Sequence, residues 1–485
     1  MIRYAWMVLG LAIAAPASAA TFATGPCPVT VVAGEKVDCG TLTVPENRHK
    51  ANSRTIGLSV MIFRSHSATP APDPVIFLPG GPGGSATRMT SGKQLPFLDD
   101  RDYILLEPRG ARYTTSDLEC PKINELKGRI SAGHLAGAAA DKALSAAAGD
   151  CRAGWLAKGV DLDGYTSEET ADDIDDLRQA LGVKQWNVFG HSYGTRLALT
   201  VLRDHPQGVR AVMLDSVLPP EANFDENASA NLRRALDAVF DNCAVTAACA
   251  AAHPHIAATF DDLVRRAGAA PLKLETPIMG SDRLPVMVNG AVVVDAIYGA
   301  LHNPGLIGQI PAIIDEAAQG DTARMAALIR DNQGPSSFTW GLRLSIWCGE
   351  EMPFEDAGRV EAQTLPVLGL GGIDERTASV AMCRAWNVSP ADKREALAVM
   401  SDVPVLVLSG EYDPDTPPAW ARAMMPGLSH ARVVLFAGRS HGAGFNRCGA
   451  QIETAFLRDP TGVLNADCAA ALPGADFSHD APANP

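Results

Sequence analysis

The chain predicts an α/β protein: a mostly parallel sheet with helices on both faces, carrying an inserted helical cap. Three observations carry this. Short, near-continuous apolar runs of strand length recur in two separated regions, as strands buried on both faces require. Helix-like stretches stand between them, as parallel crossovers demand. The stretch from about 222 to 395 is instead Ala-rich and helical, with few strand-like runs. At 485 residues the chain exceeds the roughly 250–300 at which a single core stops growing, so a large domain with an insertion, or two domains, is expected.

The elements follow in chain order. Residues 1–20 hold one charge, Arg3, an apolar stretch Ala5–Ala15 and a small-x-small site at Ala17-Ser18-Ala19, which reads as a secretory leader. The first part of the core, 21–221, has strand-like runs at Thr55–Arg64, Pro74–Leu78, Asp102–Leu106, Trp186–Phe189 and Val209–Leu214. A helix is expected over Ser167–Leu181: it opens on Ser167 and Thr170, carries acids early and stops before Gly182. Its run Asp172, Asp173, Asp175, Asp176 lacks the glycine-bearing loop of a calcium site and is expected to be a solvated face. The insertion, 222–395, has helical stretches at Ala230–Val239, His255–Ala267, Ile310–Gln319 and Thr322–Asp331. The core resumes over 396–475 with strands Pro404–Leu408 and Val433–Phe436, and 476–485 reads as a frayed tail.

Charge and cysteines narrow the class. The 41 Lys+Arg against 55 Asp+Glu give a net charge of −14, which disfavours nucleic acid as a partner. The longest apolar run is too short to span a bilayer with normal flanks, so no stable membrane anchor is expected. Ten cysteines fall into sequence neighbours: Cys27 with Cys39, Cys120 with Cys151, Cys243 with Cys249, Cys348 with Cys383, Cys448 with Cys468. Five local disulfides in an oxidising compartment, periplasmic or extracellular, are the working expectation, although other connectivities fit the same count. No CxxC pair or Cys/His cluster at zinc spacing occurs, so neither a metal nor another cofactor is expected.

The strongest chemical signal is Gly190-His191-Ser192-Tyr193-Gly194, between the strand Trp186–Phe189 and a helical stretch starting near Thr195. A GxSxG in strand-turn-helix context holds its serine hydroxyl above the end of a sheet, which makes Ser192 the candidate nucleophile. A serine hydroxyl needs a base and an orienting acid, and in this arrangement the chain order is serine, acid, histidine. Asp413, just past strand Pro404–Leu408, is the candidate acid, with Glu411 and Asp415 as rivals. His441, after strand Val433–Phe436 and beside Gly442, is the candidate base. Acyl transfer also needs donors for a developing oxyanion. The Tyr193 N–H supplies one. The run Leu78-Pro79-Gly80-Gly81-Pro82-Gly83-Gly84-Ser85 supplies another, at Gly81 or next at Gly80. A phosphate cradle is the lesser reading of that run, since no Gly-Lys-Ser/Thr follows it.

Taken together, Cys39–Pro45, the glycine loop, Gly190–Thr195, Asp413–Pro418 and Ser440–Gly442 resemble the secreted α/β-hydrolase peptidases of the tripeptidyl aminopeptidase type, relatives of proline iminopeptidase. The resemblance implies an α/β-hydrolase core and cleavage of peptides from a free N-terminus, whose amino group is held by acids of the helical cap. On that resemblance Glu350, ahead of Glu351, is expected to meet the substrate ammonium. A departure stands at Glu107-Pro108-Arg109-Gly110-Ala111-Arg112-Tyr113, where relatives carry an Asp-x-Arg-Gly-x-Gly-Ser type segment, and it bears on pocket shape. The expected function is an exported serine aminopeptidase releasing short N-terminal peptides or amino acids. The alternative is a carboxylesterase or lipase using the same three residues.

Overall fold

Every residue of the strands Val75–Leu78 (β4), Tyr103–Leu106 (β5), Trp186–His191 (β6) and Val405–Gly410 (β8) is buried, as their unbroken apolar runs require. The computed structural model describes residues 20–31, 33–90, 95–333, 338–364 and 378–478. The leader expected over 1–20 therefore lies outside the described residues save for Ala20, and the tail expected over 476–485 lies outside them beyond Ser478.

The remaining strands are Thr21–Thr24 (β1), Val37–Pro45 (β2), Thr55–Phe63 (β3), Val209–Asp215 (β7) and Ala431–Phe436 (β9). They form one nine-stranded sheet in the order β1-β2-β3-β5-β4-β6-β7-β8-β9. From β5 through β9 every pairing is parallel, while β1, β2 and β3 add an antiparallel edge. Strands β7 and β8 lie side by side, with Val212 opposite Val405, although nearly 200 residues separate them in sequence. The intervening chain thus leaves the sheet and returns to the neighbouring strand position.

Packing divides that intervening chain in two. Helices between Ala228 and Asn332 bury their apolar stripes on one another around Leu236, Phe260, Ile297 and Ile313, a cluster joined from the core by Tyr412. Trp340, Trp347, Met382 and Trp386 instead join the cluster that covers one face of the sheet, beside Leu144 and Tyr165. The opposite sheet face carries Phe77, Phe189, Met213 and Phe456.

The helix expected at Ser167–Leu181 spans Ser167–Ala180, capped by Thr166, whose hydroxyl accepts from the Glu169 N–H. Its acidic face is not simply solvated. Arg48 pairs with Glu169, Asp173 and Asp176, and buried Arg109 makes a forked pair with Asp173 at 2.6 and 2.7 Å. Arg109 also donates to the Glu46 carbonyl, so the altered segment after β5 is stitched into the core by a satisfied cation. Helices at Pro121–Ser131, Gly137–Ala157 and Gly290–Leu301 and strands β1 and β2 were not expected from sequence. The ten cysteines form five disulfides: Cys27–Cys39, Cys120–Cys151, Cys243–Cys249, Cys348–Cys383 and Cys448–Cys468. Among the described residues no helix is long and apolar enough to cross a membrane.

Candidate active site

Strand β6 ends at His191 and the helix Tyr193–Asp204 begins two residues on, leaving Ser192 alone in the turn at φ 56° and ψ −126°. A non-glycine residue held there is strained, and its surroundings must impose the conformation. They do so through the Ser192 N–H, which donates to the Asp215 carbonyl at 3.0 Å, and the Ser192 carbonyl, which accepts from the Thr195 N–H at 2.8 Å. The turn also packs on β4 so closely that a Cβ on Gly194 would stand 2.1 Å from the Leu78 carbonyl oxygen.

Asp413 follows β8 in a tight loop and is fully buried. Its carboxylate accepts from the Asp415 and Thr416 N–H groups and the Thr416 hydroxyl at 2.7–2.9 Å, and from His441 Nδ1 at 3.0 and 3.1 Å. Burial alone would raise this carboxyl, but the His441 charge and hydrogen bond outweigh it and hold the group below the ordinary carboxylate range. The counterpart holds for His441. Burial disfavours the imidazolium, yet Asp413, then Asp415 and Asp215, raise it above the ordinary imidazole value to about 9. Thr416, which sequence reasoning passed over, donates to Asp413 and lies 3.3 Å from His441 Nδ1.

Ser192, Tyr193, Gly80, Gly81 and His441 line one cavity of about 620 Å³. A Cβ on Gly80 would meet the Ser192 Cβ at 2.9 Å, so the glycine loop passes the serine at a distance that excludes any side chain. His191 presses its ring 5.1 Å from that of His441. The insertion closes the other side with one face of the helix Gly290–Leu301, presenting Val292, Asp295, Tyr298 and His302.

Glu350 and Glu351 lie elsewhere. They occupy the π-turn Trp347–Glu351 and are buried, and among the described residues the carboxylates lining the cavity are Asp295 and Asp415. Glu350 accepts from the Ser167 N–H at 2.6 Å and the Ser167 hydroxyl at 2.5 Å, and that hydroxyl touches the Tyr193 phenol at 2.7 Å. Glu351 pairs with buried Arg196. Burial raises both carboxyls to about 7; Glu395 pushes Glu350 further up, and Asp225 does the same to Glu351, while Arg196 opposes both. Glu350 and Glu351, expected at the substrate ammonium, are thus buried and do not line this cavity. Each acid stands behind a cavity-lining wall with its oxygens engaged.

A parallel sheet with a serine on the β6 turn, an acid after β8 and a histidine after β9 is the arrangement of the α/β-hydrolase fold. A family model described as "alpha/beta hydrolase fold" matches residues 73–260, and one described as "TAP-like protein" matches 373–468. The chain has the α/β-hydrolase fold, and its sequence is similar to tripeptidyl aminopeptidases and a proline iminopeptidase. It is 28% identical over 319 residues to "Serine protease Hip1" of Mycobacterium tuberculosis, covering 59% of this chain and 58% of the relative. It is 30% identical over 207 residues to a tripeptidyl aminopeptidase of Streptomyces lividans, covering 39% and 38%. With a proline iminopeptidase of Arabidopsis thaliana it shares 25% over 179 residues, 36% and 35%. The chain thus spans less than three fifths of the length of the curated relatives it matches.

Proposed function

We propose that the protein is an exported serine aminopeptidase that releases short N-terminal peptides through an acyl-enzyme on Ser192. The observation that carries this is the shared cavity: a strained serine, a histidine locked to a buried carboxylate, and a glycine loop against the serine. His441 takes the Ser192 proton as the hydroxyl oxygen attacks the scissile carbonyl. The Tyr193 N–H and an N–H of Gly81 or Gly80 meet the oxyanion. His441 then protonates the leaving amine, and water activated by the same ring frees the acyl group. Asp413 keeps the imidazole oriented, and the insertion, 222–395, roofs the cavity as a cap. The five disulfides favour an oxidising compartment, secreted or periplasmic.

The substrate ammonium needs a carboxylate that lines the cavity. Asp295 and His302 both face the cavity from the helix Gly290–Leu301 and its end, seven residues or roughly 10 Å apart along the axis. His302 stands beside His441, with ring centroids 5.7 Å apart. Asp295 is thus a carboxylate of the inserted helix that shares the cavity with Ser192 and His441, and we assign the substrate ammonium to it. Glu350 acts behind this surface, through Ser167 and Tyr193.

The test compares aminoacyl and tripeptidyl anilides, with free or acetylated N-termini, against short-chain nitrophenyl esters. Free-amine tripeptidyl anilides should be preferred, and Asp295→Asn should raise KM for them alone. Indifference to acetylation, with ester turnover far above amide turnover, would establish the carboxylesterase reading instead.

A further inference from the structure

Strand β7 ends at Asp215, and there Asp215 and Ser216 touch both of the loops that carry the reaction. Toward Ser192 the contact is main chain: the Asp215 carbonyl accepts from the Ser192 N–H at 3.0 Å. Toward His441 it is side chain. The Ser216 hydroxyl oxygen accepts from the Gly442 N–H at 2.8 Å, and Asp215 Oδ2 accepts from the Gly444 N–H at 3.0 Å. The Ser216 hydroxyl donates in turn to Asp215 Oδ1 at 3.2 Å. Its one hydrogen is thereby committed, and its lone pairs are left for the Gly442 N–H.

The end of β7 is itself rigidly set. Asp215 and Ser216 are both fully buried, and Ser216 stands at φ 61°, a strained value for a residue with a side chain. Its N–H donates to the Leu408 carbonyl of β8 at 2.9 Å, which fixes it to the neighbouring strand. The histidine loop lies directly on this end: a Cβ on Gly444 would stand 2.5 Å from Leu408 Cδ1 and 3.1 Å from Asp215 Oδ2, so only glycine permits the approach. His441 is therefore held from two sides. Before it, the Ser440 hydroxyl donates to the Tyr412 carbonyl at 3.1 Å; after it, the N–H groups of Gly442 and Gly444 go to Ser216 and Asp215. The contact of the ring with Asp413 sets its orientation, whereas the backbone that carries the ring takes its place from β7.

We propose that Asp215 and Ser216 are positioning residues that register the histidine loop against the serine turn, so that His441 meets the Ser192 hydroxyl. They act on the reaction through His441, and neither is among the residues lining the cavity that Ser192 and His441 share. Because Asp215 holds Ser192 through its backbone, a change of its side chain cuts the histidine arm alone and leaves the serine arm in place. A misplacement of about 1 Å between reacting groups costs about 100-fold in rate, so a hold of this kind is measurable. The kinetic arm of the test rests on the serine hydrolase reading above; the exchange arm does not.

Labelling of Ser192 by a fluorophosphonate on the full chain yields a saturating rate and a half-saturating concentration. Asp215→Ala should lower the first by about 100-fold and move the second by less than about twofold. Ser216→Ala, which keeps the backbone strain and removes only the hydroxyl, should lower the rate by about tenfold. Asp215→Asn keeps an oxygen for the Gly444 N–H and should recover roughly tenfold of the Asp215→Ala loss; no recovery overturns the acceptor role. A second cycle uses His441→Ala. Adding Asp215→Ala to it should lower the residual labelling by less than about twofold, since the two act as one unit. A further fall of about 100-fold there would mean that Asp215 works by another route, and overturns the proposal. Should Asp215→Ala fail to fold, Ser216→Ala carries the same cycle. Labelling like wild type in both alanine variants overturns the proposal and leaves the hydrolase reading standing. A wild-type chain that takes no label removes that reading. Amide hydrogen exchange at Gly442 and Gly444, read by mass spectrometry, then still decides: faster exchange is expected in both alanine variants, and unchanged protection overturns the hold.

Discussion

Asp413 and Glu350 are both carboxylates sealed from water near the Ser192 turn, and they end in opposite states. Asp413 is held below the ordinary carboxylate range, whereas Glu350 rises to about 7. Burial pushes both upward, so burial does not separate them. The partner does: Asp413 receives an imidazole and three further donors, while Glu350 receives the two donors of Ser167 and has the like charge of Glu395 nearby. A buried acid is thus made an anion or an acid by the balance of its neighbours, since Glu350 has the cation Arg196 as well as the like charge of Glu395 acting on it, and only the first kind can orient a cationic base.

The comparison can be broken at several strengths. Ser192→Ala should remove fluorophosphonate labelling and lower kcat by about 10⁴- to 10⁶-fold; activity within tenfold of wild type would end the reading of the whole site. Asp413→Asn should cost about 10⁴ in kcat, and Glu350→Gln less than roughly tenfold, since no oxygen of Glu350 touches the reacting atoms. Equal losses in the two variants would mean that the balance of neighbours does not separate their roles.

Stability gives a second contrast. Glu351→Gln leaves Arg196 buried without its anion and should destabilise by about 3–5 kcal/mol in denaturant melts. A loss below about 1 kcal/mol in Glu351→Gln would place the pair among the weak ones. Protonation gives a third. With His441 raised to about 9, the labelling rate should keep climbing above pH 6.5, roughly tenfold per unit while the ring is mostly protonated. A plateau reached by pH 6 would show that Asp413 does not hold the ring charged.

The smallest effect concerns Glu350 alone. Its folded value of about 7 exceeds the ordinary 4.5, so the folded state keeps a proton that the unfolded chain releases. The associated stability is complete below about pH 4.5 and fades as pH rises to about 7. Wild-type Tm should therefore drop more between pH 5 and pH 7 than that of Glu350→Gln; identical slopes would mean that Ser167 holds Glu350 as an anion.

The sheet was readable because its central strands are buried on both faces and so print unbroken apolar runs. Strands β1 and β2 were not, since an antiparallel edge alternates exposed and buried residues: Thr41 is exposed between buried Gly40 and Leu42. The turn at Ser192 announces itself locally, through glycines that the close approach of β4 requires. Asp295, Tyr298 and His302 carry no such mark. Their spacing of three and four residues is the ordinary face of a helix, and it gains meaning only from what the fold sets opposite. Asp415 was weighed against Asp413 from sequence, and the discriminating fact is three-dimensional: the Asp413 oxygens take the loop N–H groups while those of Asp415 turn to the insertion. The distance of Glu350 from the cavity depends on Tyr193 and Ser167 standing in between, two residues far apart in the chain.

The Cys348–Cys383 bridge closes a ring of chain around the turn that carries Glu350 and Glu351, with a sequence separation of 35. A single proteolytic nick anywhere within that ring leaves both pieces covalently joined. Such a nicked molecule would migrate as one species without reductant and as two with it.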